Sequence, residues 1–150
     1  MSFHDKEFIE DAVAVFDPGT QTGSGVLVSL TQKRLRIHDS FSMDTLGVAA
    51  FTPEQYVEMA SDRLVEWGIG YANDCEEIVD RVIIARTYII EMPAPAAGRR
   101  GRTPSLSILM KVALNAADIG FRVARDTGRT VKTFRADMLR RTGRIMSNAE

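Results

Sequence analysis

Two short apolar runs, each ending in an acidic residue, constrain the fold of this chain more than any other feature. Residues 12–16 lead into Asp17 and residues 88–90 lead into Glu91, and a proline follows each acidic residue within two positions. β-Branched and aromatic residues followed by such breaks are typical of buried strands. Because a carboxylate on a core strand is costly unless it is paired, the two residues indicate either a divalent-cation site or carboxylates that cap neighbouring helices.

The composition limits the class of protein. With 150 residues, 45% of them hydrophobic, the chain has the size of one compact domain, and we expect residues 1–150 to form it. No apolar stretch approaches the roughly 18 residues that cross a bilayer, and the first residues lack the pattern of a secretory signal. Cys75 is the only cysteine, which excludes a disulfide framework and a cysteine-based metal cluster. We therefore expect a soluble, intracellular, cytoplasmic protein without a membrane partner.

Charge is distributed unevenly along the chain. Residues 1–80 contain 15 acidic and 5 basic side chains, whereas residues 81–150 contain 5 acidic and 14 basic ones. A net charge of −1 therefore conceals two halves of −10 and +9. A basic half of this kind is typical of proteins that contact a polyanion such as nucleic acid. The alternative is a pair of oppositely charged solvated faces that attract each other within the fold.

The first part of the chain has the pattern of three antiparallel strands. Residues 13–17 and 25–30 are apolar runs, and the short glycine-rich stretch between them predicts a hairpin. Residues 33–38 alternate charged and apolar side chains, as a half-exposed third strand does. A helix should follow, because Thr52 supplies an N-cap hydroxyl before a proline and a glutamine that nearly complete a capping box. Its apolar stripe is expected to pack in the core and consists of Val57, Ala60, Leu64, Trp67 and Tyr71.

The second half is expected to alternate helices and strands. We predict a helix over residues 73–85 and a strand over 87–91, although residues 81–85 suit the beginning of that strand equally well. Thr103 and Pro104 repeat the helix-entry signal. The stripe that follows it is Leu106, Leu109, Val112, Ala116, Ile119 and Val123, and Phe121 is expected to be partly buried. A strand over 130–134 and a short basic helix over 136–141 complete an α/β fold, a mixed sheet with helices packed on it.

Five motifs follow one another along residues 12–146. They are Asp17-Pro18-Gly19 leading into Gly23-Ser24-Gly25-Val26, Ile89-Ile90-Glu91-Met92-Pro93, Asn115-Ala116-Ala117-Asp118-Ile119-Gly120, Val131-Lys132-Thr133-Phe134 and Ala136-Asp137-Met138-Leu139-Arg140-Arg141-Thr142-Gly143-Arg144. In this order they resemble the motifs of one family, the RuvC-like Holliday junction resolvases of the RNase H-like nuclease superfamily.

The resemblance implies a fold, a chemistry and a set of partners. The fold would be an RNase H-like five-stranded mixed sheet, with three antiparallel strands followed by parallel ones. The activity would be Mg²⁺-dependent hydrolysis of phosphodiester bonds in branched DNA by a homodimer, with Mn²⁺ as a substitute ion. Asp17 would bridge two metal ions and Glu91 would hold one of them. Basic residues near the cleft would contact the DNA backbone, namely Arg99, Arg100, Arg102, Lys132, Arg135, Arg140, Arg141 and Arg144.

Two departures from the family pattern keep other functions open. The glycine hairpin after Asp17 is about one residue shorter than usual, and the chain ends about where the family's C-terminal helix adds further metal-binding aspartates. Asp118, Asp137 and Glu150 are candidate substitutes, although surface or terminal positions explain all three. The chain is therefore either a truncated enzyme, an enzyme whose site is completed differently, or a non-catalytic DNA-binding relative. An actin-like or sugar-kinase-like ATPase is a third alternative, because the segment after Asp17 also resembles that superfamily's first phosphate loop.

Overall fold

The computed structural model describes residues 8–31, 33–44, 49–72, 81–93 and 105–135. In these ranges the chain forms six strands and two helices. They are β1 (Phe8–Pro18), β2 (Gly23–Thr31), β3 (Arg34–Met43), α1 (Pro53–Ile69), β4 (Tyr71–Ala72), β5 (Arg81–Glu91), α2 (Leu106–Thr127) and β6 (Thr130–Phe134).

All six strands belong to one sheet with the order β3-β2-β1-β5-β4, and β6 pairs with β5 beside β4. The β1–β2 and β2–β3 pairs are antiparallel, whereas β1–β5 and β5–β6 are parallel. This is the predicted mixed sheet, with the two-residue strand β4 added at one edge. Strand β5 is central, because β1 borders one side of it while β4 and β6 share the other.

Helix α1 begins as its sequence predicts. The Thr52 hydroxyl accepts a hydrogen bond from the backbone N–H of Gln55 at 3.1 Å, and the Gln55 side chain accepts one from the Thr52 N–H at 3.0 Å. This complete capping box satisfies two backbone donors that a helix start otherwise leaves unpaired.

Helix α2 begins after Ser105, whose hydroxyl accepts from the N–H of Ile108, so the helix entry predicted from Thr103 and Pro104 is displaced. Thr103 and Pro104 themselves lie outside the described residues. The helix ends at Gly128, where a φ of 67° suits glycine in a left-handed C-cap.

Both helices pack on one face of the sheet. Phe16, Leu27 and Ile90 from the strands are fully buried together with Leu64 of α1 and Ile119 of α2. Trp67 is also in this core, as predicted, and its indole N–H donates to the carboxylate of Asp39 at 3.0 Å. Since successive strand residues alternate between faces, the neighbours of these buried residues point to the opposite face. In the described ranges, no helix covers that second face.

Some segments differ from the sequence-based predictions. Residues 81–85 belong to β5 and are not helical, so the alternative in which they begin this strand is confirmed. A short apolar run of this kind occurs in central strands as well as in buried helices. Strand β1 begins at Phe8, before the predicted position 13, and β3 extends to Met43. The predicted helical segments 73–80 and 136–141 lie outside the described residues.

The exposed side of α2 also differs from expectation. Ala116, Ile119 and Val123 are buried as predicted, but Leu106 is 73% exposed and Phe121 is 67% exposed. With Met110 and Leu114 these two residues form a second apolar stripe along the outer side of the helix. Within the described part of the chain, neither helix has the length and continuous apolar character needed to cross a membrane.

Candidate functional site

The structure places Asp17 and Glu91 side by side at the carboxyl ends of two adjacent parallel strands. Phe16 of β1 pairs with Ile90 of β5, so the next residue on each strand lies at the same edge of the sheet. Phe16 and Ile90 are both fully buried beneath the helices. Asp17 and Glu91 therefore point to the opposite face, where Asp17 is exposed and Glu91 is half-buried.

The two carboxyl groups are close enough to share a hydrogen bond, and this changes the acidity of Glu91. Burial raises the pKa of Glu91 to about 7, and the negative charge of Asp17 and the hydrogen bond to it add to the shift. Two carboxyl groups at such close range do not both ionise easily, so the folded protein favours the protonated form of Glu91. In the described residues, neither acid forms an ion pair with a lysine, arginine or histidine.

Polar side chains from the neighbouring strands extend this row. Asp17 pairs with Ser24 of β2, and Ser24 pairs with Ser42 of β3, so all three side chains lie on the same face. They line a shallow cavity of about 340 Å³, and Asp44 lines its far side. Among the described residues, no three histidine, cysteine or acidic side chains come together as a potential metal-binding group. The pair of carboxylates is thus the acidic centre of this edge.

The turn between β1 and β2, directly after Asp17, is held firmly by the residues beneath it. The Tyr56 hydroxyl accepts from the N–H of Gly19 and donates to the carbonyl of Thr22, both at 2.8 Å. Gln21 makes two hydrogen bonds to the backbone of Phe51, at 2.7 and 2.8 Å. These hydrogen bonds join the turn to α1 and to the segment before it, which limits the movement of the backbone that positions Asp17.

Further contacts support the same turn. Asn115 of α2, which is 7% exposed, donates to the carbonyl of Gly19 at 3.0 Å. At Gly23 a Cβ atom would come within 2.6 Å of the Tyr56 hydroxyl, so a larger residue would displace the tyrosine that holds the turn. Burial raises the pKa of Tyr56, and the charge of Asp17 adds to the shift, so the phenol remains a hydrogen-bond donor at neutral pH.

Of the predicted DNA-binding residues, Lys132 and Arg135 are described. Lys132 pairs with Ile89, and Phe134 pairs with Glu91. Lys132 therefore lies on the same face of the sheet as the two acids, two residues along β6 before the position that pairs with Glu91. The Lys132 side chain is exposed and forms no ion pair with any of the described residues. Arg135 follows the end of β6 and is half-buried. The other predicted basic residues lie outside the described residues, namely Arg99, Arg100, Arg102, Arg140, Arg141 and Arg144.

The candidate substitute ligands do not join the pair within the described ranges. Asp118 is on the outer side of α2 and faces Arg122, with 3.5 Å between carboxylate oxygen and guanidinium nitrogen. Helix α2 packs on the face of the sheet opposite to Asp17, since the nearest side chains to Gly120 are Ile90 and Val131. Asp137 and Glu150 lie outside the described residues.

Sequence analysis missed several residues around the pair. Ser24, Ser42 and Asp44 become neighbours of Asp17 only through the strand register, and serines scattered over two strands give no signal of their own. Asn115 was included only as part of a family motif. An asparagine among the buried residues of a helix that is otherwise apolar on that side is nevertheless a usable signal, because a buried amide needs a partner.

Comparisons with known proteins identify the fold. No family model and no curated protein matches this sequence. Solved structures do match, and one is a T. thermophilus RuvC in complex with Holliday junction substrate. Its TM-score is 0.57 at 12% sequence identity, and the match covers 88% of this chain and 69% of that one.

The yeast mitochondrial Holliday junction resolvase Ydc2 matches with a TM-score of 0.52 at 9% identity, over 89% of this chain and 57% of that protein. A Ppx/GppA protein of Aquifex aeolicus matches over 85% of this chain and only 36% of its own, with a TM-score of 0.42. The two resolvase matches, together with the strand order, confirm the predicted RNase H-like fold.

Proposed function

We propose that this protein is a metal-dependent endonuclease that hydrolyses phosphodiester bonds in branched DNA. The observation that carries the proposal is the Asp17–Glu91 pair, two carboxyl groups that lie next to each other on one face at the carboxyl ends of adjacent strands. Like charges are costly to hold together, and a cation between them removes that cost. The similarity of the fold to a RuvC in complex with a Holliday junction supports branched DNA as the substrate.

The donor set of the pair fits Mg²⁺, with Mn²⁺ as a substitute. Mg²⁺ prefers oxygen ligands and is commonly held by one or two carboxylates, several waters and the phosphates of the substrate. Asp17 and Glu91 supply two such carboxylates on the accessible face of the sheet. When bound, divalent cations make water a stronger nucleophile and stabilise charge on the leaving oxygen.

The chain's own groups would position the DNA. Asp17 and Glu91 would hold the cation beside the scissile phosphate, with Asp17 central in the row of side chains. Lys132, exposed on the same face, would bind a phosphate next to it. Arg135 and the predicted basic residues beyond the described ranges would extend this contact. Such backbone contacts carry no sequence information, which suits recognition of a branched shape.

We also propose that the protein acts as a homodimer, as a nuclease that cuts two strands of a junction requires. The outer stripe of α2 supports this proposal. Leu106, Met110, Leu114 and Phe121 are 57–73% exposed, and their spacings of four, four and seven residues place them along one side of the helix. A contiguous exposed apolar surface of this kind is typical of a protein–protein contact.

Cleavage of a synthetic four-way DNA junction in the presence of Mg²⁺ tests the nuclease proposal. We expect the wild-type protein to cut the junction and Asp17→Asn or Glu91→Gln to reduce the rate by more than about 100-fold, because each removes a metal-binding charge. Asp11→Asn is the matched control. Asp11 lies on the same strand, is exposed and forms a surface ion pair with Arg86 at 2.9 Å, so its substitution should leave cleavage unchanged.

Gel-shift binding to the same junction distinguishes an active nuclease from a non-catalytic DNA-binding relative. A wild-type protein that binds the junction but does not cut it, with no response to Mg²⁺, would be the non-catalytic DNA-binding relative. Cleavage that survives both substitutions at the pair would contradict the assignment of the site.

A further inference from the structure

The described residues at the tip of the β2–β3 hairpin, 30–31 and 33–37, carry an unusual concentration of positive charge. Lys33, Arg34 and Arg36 are three of the five basic residues in the acidic half, residues 1–80. None of the three forms an ion pair or a side-chain hydrogen bond with any residue that the structure describes. Their charges are therefore not used to hold the described fold together.

The same tip exposes large apolar side chains. Leu30 is 72% exposed, Leu35 is 67% exposed and Ile37 is 66% exposed. Leu30 pairs with Leu35 across the hairpin, and Ile37 is two residues further along β3, so all three lie on one face. Arg34 and Arg36 alternate with them and point to the other face. Strand β3 thus presents an apolar face and a cationic face at the same place.

Strand β3 is also an edge of the sheet. It pairs with β2 on one side, and in the described part of the chain no strand pairs with its other side. An open edge offers unpaired backbone N–H and C=O groups to an incoming strand. Charged residues on an edge normally prevent pairing, but here the charge has a single sign, so it repels a cationic strand and attracts an acidic one. A second copy of β3 would bring the same cations and is disfavoured.

We propose that the β3 edge docks an extended segment of a partner protein in which acidic and apolar residues alternate. The segment would add a strand to the sheet through main-chain hydrogen bonds. Its acidic side chains would contact Arg34 and Arg36, and its apolar side chains would cover Leu35 and Ile37. The four contact residues lie at the hairpin end of β3, whereas Ser42, which lines the candidate active site, is five residues beyond Ile37, about 17 Å along the strand.

Fluorescence anisotropy with a labelled peptide of alternating glutamate and valine, as long as β3, tests the proposal on the full-length protein. We expect the wild-type protein to bind this peptide and the double variant Arg34→Glu/Arg36→Glu to bind it at least about tenfold more weakly. Leu35→Thr/Ile37→Thr places β-branched residues, which suit a strand, at both positions and should also weaken binding, because it removes the apolar contact. Lys132→Glu, an equally exposed charge on β6, is the matched control and should leave peptide binding unchanged.

Control peptides distinguish strand addition from simple charge attraction. A peptide of the same composition with its acidic residues grouped at one end, and one with prolines in place of two valines, should bind at least about tenfold more weakly, since neither can pair along the edge with the correct alternation. Equal binding of all three peptides would overturn the proposal, as would a wild-type protein that binds none of them.

Two further probes exclude other ligands for the same cations. Duplex DNA or vesicles of anionic phospholipid that bind the wild-type protein, lose affinity in Arg34→Glu/Arg36→Glu and compete with the peptide would overturn the peptide assignment. Junction cleavage by this double variant should equal that of the wild type, so failure of the docking proposal is distinguishable from failure of the nuclease proposal. Circular dichroism of each variant establishes that the fold is retained.

Discussion

Strand β1 carries a carboxylate near each end, and the two have opposite surroundings. Near the start, Glu10 accepts a hydrogen bond from the Ser29 hydroxyl at 2.9 Å and lies 2.8 Å from Nε2 of His38. The His38 side chain is only 5% exposed, and its Nε2 is also 2.8 Å from the Ser29 oxygen. At the other end, Asp17 faces a second carboxyl group, that of Glu91.

The difference shows which acid serves the fold and which one is available for chemistry. Glu10 has donors for its buried oxygen, so its desolvation is compensated within the protein. Asp17 and Glu91 have no basic partner among the described residues, and burial, together with the charge of Asp17, raises the pKa of Glu91 to about 7. A perturbed, unpaired carboxyl pair at a sheet edge is the kind of site where function is found, because selection for stability alone would remove it.

The largest effect on stability is expected at the start of β1, where Glu10 has hydrogen-bonding partners. His38→Ala leaves the carboxylate of Glu10 without one donor and removes a buried ring, so we expect the free energy of unfolding to fall by about 2 kcal/mol. Urea denaturation followed by circular dichroism at pH 7 measures it. Asp11→Asn, exposed on the same strand, should change stability by less than about 0.5 kcal/mol. Equal effects of the two substitutions would contradict the conclusion that the contacts among Glu10, Ser29 and His38 stabilise the fold.

A smaller effect on stability is expected when Mg²⁺ binds at the end of β1, beside Asp17 and Glu91. At a Mg²⁺ concentration about tenfold above the dissociation constant, binding should raise the free energy of unfolding by about 1.4 kcal/mol, because the ion binds only where the two acids converge. Thermal unfolding with MgCl₂ and with NaCl at equal ionic strength measures this increase. Asp17→Asn should abolish it, whereas Glu10→Gln should retain it. A Mg²⁺ response that is unchanged in Asp17→Asn would contradict the location of the site.

The smallest effect is the pH dependence of the pair itself. The pKa of Glu91 is about 7 in the fold and 4.5 in its ordinary state, so the unfolded chain ionises first as pH rises. The contribution of Glu91 to stability is therefore present below about pH 4.5 and is lost as pH rises through about 7. Asp17→Asn relieves the repulsion at pH 8 and should stabilise the protein there by about 0.5 kcal/mol, a small gain because the pair is partly exposed to solvent.

At pH 5 the same substitution should bring no gain, because the pKa of Glu91 is about 7 in the fold and its carboxyl group then carries no charge for a neighbour to repel. Urea titrations of both proteins at pH 5 and pH 8 supply the comparison. If Asp17→Asn destabilises the protein equally at both pH values, the raised pKa assigned to Glu91 is contradicted.

Local patterns predicted those elements whose signals lie within a few residues. The capping box at Thr52 and the strand at 130–134 are confirmed, because caps and short β-branched runs depend on near neighbours. The helix predicted for residues 81–85 was wrong and the strand that suited them equally well is confirmed, because the periodicity of a short apolar run cannot separate a central strand from a buried helix. The early start of β1 was missed because the partner that makes Glu10 acceptable in the strand, His38, comes from β3.

The order of residues alone was sufficient to place Asp17 and Glu91 at the ends of two strands, since an apolar run and its terminating proline or glycine are local properties. Which faces these side chains share was decided by the packing of the whole sheet. The parallel register of β1 and β5 brings the two carboxyls together, and the pairing of β6 adds Lys132 to their face. Register depends on contacts between segments more than 70 residues apart, where burial of one face and the hydrogen-bond ladder select a single alignment.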